Sequence, residues 1–184
     1  RGPQGTLYGQ GSVGGTIRFI SNDPSFDGTE GEIGLSVYNT ERGGWSEEIT
    51  GVINFPVIDD VLAFRLAASY KDKSGWIDQP SIAKKDINDS ELTNIRLKTL
   101  LQASEELTLK STIIRHRNDG GGLNIVNLGS FGDSNYRNAV DRTISPAFSD
   151  NYDLYNITAN YDFGSATLTS SSSYIDVEKV FQAT

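Results

Sequence analysis

Val61-Leu-Ala-Phe-Arg-Leu-Ala-Ala-Ser-Tyr-Lys71 (VLAFRLAASYK) alternates without a break. Leu62, Phe64, Leu66, Ala68 and Tyr70 fall on one side, and Ala63, Arg65, Ala67, Ser69 and Lys71 on the other. Successive side chains of an extended chain point to opposite faces, so the stretch predicts a strand with one apolar and one polar face. Asn94–Ala103, Leu107–Arg115 and Tyr155–Phe163 repeat the pattern, Glu32–Asn39 and Glu48–Phe55 more weakly. Serine-rich Ala166–Val177 can be read either way. About seven strands result, and the fold class is all-β.

The connections carry as much information as the strands. Pro56–Asp60, Ser104–Glu106 and Gly164–Ser165 read as tight turns; Thr40–Glu47, Asp72–Glu91 and Asn118–Asn151 read as longer polar loops. Short and long therefore alternate along the chain. A soluble sandwich has no reason for this, although its strands would also alternate. A transmembrane β-barrel does, with short turns on one side of the membrane and long loops on the other. Segments of roughly ten residues suit a tilted membrane strand. Tyr38, Phe55, Tyr70, Trp76, Tyr155 and Phe163 are expected near strand ends, as an interfacial aromatic girdle requires.

Composition narrows the function classes. The 184 residues are 36% hydrophobic and 10% aromatic, too rich for a disordered chain. A net charge of −8 argues against a nucleic-acid partner, which needs a basic face. There is no cysteine, hence no disulfide or thiolate metal site, and a single histidine, His116, makes a histidine-based catalytic or zinc site improbable. Without Met, signal peptide or a long apolar run, the sequence reads as a piece of a longer chain.

Gly9, Gly11 and Gly14 spell G-x-G-x-x-G, the fingerprint of a dinucleotide loop. That loop needs a buried strand before it and a helix after it, whose amides hold the pyrophosphate. Here a turn-rich Arg1–Thr6 precedes, and the β-like Thr16–Ser21 follows, ending at Asn22-Asp23-Pro24. No cofactor site is expected, and the glycines need a structural reason.

Arg1, Gly2, Pro3, Gly5, Leu7, Tyr8 and Gly9, followed by Gly14, Gly15 and a short β run, resemble the end of the plug domain of TonB-dependent outer-membrane receptors. Gly11 and Ser12 stand where Asn and Ala are common in that family, and Arg18-Phe19 replaces a more usual Asn–Ile. The resemblance implies that residues 1–24 are the C-terminal end of a plug. Residues 25–184 would be the N-terminal part of an antiparallel transmembrane barrel, seven of roughly 22 strands. It also implies a Gram-negative outer-membrane location with lipid around it, and an energy-coupling partner, TonB, acting through a box outside this stretch. The activity implied is energised uptake of a scarce nutrient such as a ferric siderophore, cobalamin or an oligosaccharide, without enzymatic chemistry. Gly9, Gly14 and Gly15 would then permit positive φ and close backbone approach, with Pro3 stiffening the turn. Arg1 would belong to a plug–barrel ion-pair cluster. A passive porin-like barrel, or a soluble β-domain without transport, are the alternatives.

Other candidate residues are weighed on their chemistry. Arg65, Lys71, Arg96, Lys98 and Lys110 all fall on the polar side of their strands, and a basic inner wall would favour anionic ligands or pair with plug carboxylates. Loops Asp72–Glu91 and Asn118–Asn151 are expected to touch ligand. His116 is read as solvated, because no second nitrogen or sulfur ligand can join it. Asp119 and Asp133 carry oxygen ligands for Ca²⁺, without the spacing of a calcium loop. Ser170–Ser173 lack a base, so no nucleophile is expected. The sequons at Asn88 and Asn156 carry no meaning in a bacterial outer-membrane protein.

Overall fold

The computed structural model describes residues 15, 17, 19–79, 82–122 and 147–182. They form one seven-stranded antiparallel sheet, unclosed, in which spatial order follows chain order. Its strands are β1 (Glu30–Asn39), β2 (Trp45–Ile58), β3 (Leu62–Lys73), β4 (Ser90–Gln102), β5 (Leu107–Gly120), β6 (Ala147–Asp162) and β7 (Thr167–Gln182). They run from 10 to 16 residues, well beyond the roughly 5–6 usual in globular domains. The serine-rich segment is a full strand, β7.

Register aligns the two faces across the sheet. On the apolar face Leu66 lies opposite Leu97, Leu97 opposite Ile113, Ile113 opposite Tyr155, and Tyr155 opposite Tyr174. Along β3 this face is apolar from Leu62 to Tyr70, eight steps of about 3.3 Å, or roughly 26 Å. Beyond Tyr70 it changes abruptly: Glu47, Asp72, Glu91 and Asp119 stand directly opposite one another on four consecutive strands. Like charges in that position repel, so the row is tolerable only where water or counter-ions reach it. At the turn end the apolar face closes on aromatic pairs, Phe55 stacked on Phe64 at 5.5 Å and Tyr161 against Phe163 at 4.6 Å.

Nothing among the described residues covers that face. Among the described residues each strand contacts only its sheet neighbours, and the buried hydrophobic residues are just Ala63, Ile77 and Ile87. Ile33 is 78% exposed, Leu35 75% and Tyr174 65%. A soluble β-domain buries its apolar face against a second layer; these described strands have none.

Several boundaries differ from expectation. The first long loop shrinks from Thr40–Glu47 to residues 40–44, because Trp45, Ser46 and Glu47 pair with Asn39, Tyr38 and Val37. The Pro56–Asp60 turn shortens to residues 59–61: Pro56 remains in β2 at a register shift, where its missing N–H disturbs the ladder least. Asp60 takes φ 56° and Val61 N–H closes onto the Ile58 carbonyl at 3.1 Å. Tyr155 sits in the middle of β6, so it cannot belong to an end girdle, and Trp45 occupies an end position instead. The alternation of connections persists, the later pairs being residues 74–89 against 103–106 and 121–146 against 163–166.

Candidate functional site

The cations read from the sequence gather on the polar face. Arg65 lies opposite Lys98, Ala67 opposite Arg96, Glu48 opposite Lys71 and Leu100 opposite Lys110, so the five cations read from the sequence share one face. Parity alone achieves this, since every one of them sits an even number of positions from its strand-mates.

Residues 21–29 cross that face as an extended strap leading into β1. Its anchor is Asn54 of β2, 1% exposed, which bonds three of the strap's backbone groups. Asn54 Oδ1 accepts from the Ser25 N–H at 2.9 Å, while Nδ2 donates to the Ser25 carbonyl at 3.0 Å and the Gly28 carbonyl at 2.8 Å. Further along, Asp23 reaches two strands at once, with Lys98 Nζ and Lys110 Nζ each 2.7 Å from one of its oxygens. Lys98 also donates to the Ser21 carbonyl at 2.9 Å. Burial pushes the Asp23 carboxyl up, but the ammonium groups of Lys110 and Lys98 outweigh it and hold it below the ordinary carboxylate value. Arg65 pairs with Glu30 at 3.2 Å and Lys71 with Glu48 at 2.7 Å.

Sequence reasoning missed Asp23 and Asn54, treating Asn22-Asp23-Pro24 only as a break. One signal was available: Asp23 is the first acidic residue in the chain, following 22 positions without a carboxylate. Asn54 gave no signal, since a polar residue on a polar strand face is ordinary.

At the far end of the sheet, residues 74–79 and 82–89 pack around Ile77, which is fully buried, and Ile87. Asn88 Oδ1 accepts from the Trp76 and Ile77 N–H groups at 2.8 and 2.9 Å, and the Ile87 N–H donates to the Ile77 carbonyl at 2.7 Å. Gly75 and Gly121 admit this packing: a Cβ at Gly75 would fall on the Asp86 carbonyl, and at Gly121 on the Ile87 carbonyl. Burial, then the neighbouring Asp78, pushes the Asp86 carboxyl above its ordinary value. So the Asp72–Glu91 loop is narrower than expected, its ends absorbed into β3 and β4, and its middle has a small core of its own.

The remaining candidates are placed as follows. His116 lies on the polar face, stacked on Tyr152 at 4.8 Å with Asn94 Nδ2 3.1 Å from its Nδ1. Asp119 lies within β5 rather than in a loop, on the opposite face. Ser171 and Ser173 take hydrogen bonds from Asn156 Nδ2 at 3.1 and 2.8 Å, part of a ladder of amides and hydroxyls between β6 and β7. Gly15 takes φ 123°, open only to glycine at low cost. Arg1, Gly2, Pro3, Gly5, Leu7, Tyr8, Gly9, Gly14 and Asp133 lie outside the described residues, as does most of the Asn118–Asn151 loop. Among the described residues no helix is long and apolar enough to cross a membrane, which says nothing of crossing by strands.

No protein-family model matches the chain, and no solved structure matches it.

Proposed function

We propose that this chain is part of a TonB-dependent receptor of the Gram-negative outer membrane. Residues 25–184 form part of its barrel wall and residues 1–24 the closing end of its plug. The observation that carries the reading is the uncovered apolar face of the seven-stranded sheet. It runs roughly 26 Å along β3, about 20 Å of height once the strand tilts by roughly 35–45°, somewhat short of the outward apolar band of about 25 Å of a membrane barrel. A row of carboxylates bounds it at one end and aromatic residues at the other. The opposite face, with its cations, amides and hydroxyls, suits a water-filled interior. The strap of residues 21–29 lies on that interior face, where a connection from plug to barrel belongs.

On this reading the mechanism is binding followed by a conformational gate, with no covalent step. External loops, residues 74–89 among them, take up a scarce nutrient, and the energy-coupling partner then works on the plug to open a path. The test is uptake of ferric siderophores, cobalamin and oligosaccharides by cells carrying the complete gene, with and without the coupling partner. Saturable uptake that disappears without the partner is expected. Uptake that persists unchanged means a passive pore and overturns the energised reading.

A further inference from the structure

The polar face holds more positive charge than its own carboxylates neutralise. Arg65, Arg96, Lys98 and Lys110 stand within three successive rows of β3, β4 and β5, with Arg65 and Lys98 directly opposite each other. The carboxylates that meet this cluster are Asp23, shared between Lys98 and Lys110, and Glu30, on Arg65. Four cations against two carboxylates leave an excess of two. Like charges set directly across a ladder repel, so the arrangement favours whatever supplies further negative charge.

The excess centres on Arg96. No ion pair or hydrogen bond reaches its guanidinium from the described residues. Its own register row offers one carboxylate, Glu32, but that lies three strands away, about 14 Å across the ladder. The sequence upstream supplies no carboxylate: residues 1–22 contain neither Asp nor Glu. Arg96 instead faces an open cavity of about 300 Å³, roofed by Ser21 and Asn22 of the strap and walled by Arg65 and Lys98. Ala67, opposite Arg96, leaves the floor free. A forked donor of fixed geometry, backed by two more cations in a pocket of molecular size, is suited to a group with two or more oxygens in one plane or tetrahedron.

The geometry points to an anion-binding site beneath the strap, with Arg96 as its principal donor and Arg65 and Lys98 as flanking charges, for a ligand bearing a carboxylate or phosphate group. The anion would compete with Asp23 for Lys98, so its binding and the strap's attachment are coupled. The site stands whether or not this face lines a transport path.

The experiment is calorimetric titration of the intact protein in detergent at low ionic strength, with inorganic phosphate in one arm and citrate in the other. Saturable binding is expected in at least one arm, and the arm that saturates identifies the preferred oxyanion. R96Q should weaken it at least tenfold, and R96K several-fold, since a lysine keeps the charge but not the fork. K179Q, which alters a cation paired with Asp150 on β6, should bind as the parent does. Absence of saturation with both anions overturns the site, and so does R96Q binding as tightly as the parent. Should R96Q fail to fold, R96K decides, and its binding unchanged would overturn the assignment of Arg96.

Discussion

Leu66 and Tyr70 are 37% and 38% exposed and sit four residues apart on the same face of β3. In water, replacing either by arginine would be nearly free, within about 0.5 kcal/mol, because both are surface positions. In a bilayer they part company. Leu66 lies halfway along the apolar stretch, between Ile53 and Leu97, and an arginine at the midplane of a membrane barrel costs about 2–4 kcal/mol. Tyr70 lies at the edge, one row from Glu47, Asp72 and Glu91, where the cost falls to about 0–1 kcal/mol. The expected difference between Leu66→Arg and Tyr70→Arg is therefore about 1–4 kcal/mol for two residues of nearly equal exposure. Urea titration of the intact protein folded into lipid vesicles measures it. A difference below about 0.5 kcal/mol would refute the placement of this face against hydrocarbon.

Three further outcomes follow from the strap and the folded loop. Asn54→Ala removes three hydrogen bonds of about 1 kcal/mol each, partly replaced by water. The Ser25 amide should then exchange with solvent roughly 30-fold faster; exchange within threefold of the parent would mean Asn54 is not the anchor. Asp23 favours its ionised form in the attached strap, so attachment is complete above its ordinary value of 3.8 and weakens as pH falls through its lower bound-state value. Protection factors over residues 21–25, which correct exchange for its intrinsic pH dependence, should fall between pH 7 and pH 2.5, and Asp23→Asn should abolish that fall; a variant whose protection follows the same profile as the parent would exclude Asp23 as its source. Gly75→Ala drives a methyl into the Asp86 carbonyl, at a cost of about 1–3 kcal/mol. Tryptic cleavage after Lys84 or Lys85 should accelerate while the strands stay intact, and an unchanged digestion rate would show that the loop adapts without opening.

Alternation determined most of the fold. Because side chains of a strand switch faces at every residue, Leu62–Tyr70 and its counterparts settle strand, face and approximate length from local sequence alone. The five cations could likewise be assigned to one face by parity, before any pairing partner was known. Boundaries were less legible. Trp45–Glu47, Asp119 and Ala147–Asn151 look like polar loop residues, and only the ladder of a neighbouring strand draws them into β2, β5 and β6. The apolar repeat has ended there, while backbone pairing continues regardless of side-chain polarity.

What tertiary structure alone decided is the partnership of charges. Asp23 meets Lys98 and Lys110 across 75 and 87 residues of chain, and Asn54 holds a segment 26 to 29 residues away. Periodicity carries no record of such contacts, because it reports which way a side chain points and not what crosses in front of it. The same limit applies to Arg96: its sequence neighbours place it on the polar face, but only the strap's course over Arg65 and Lys98 turns a charged face into a cavity.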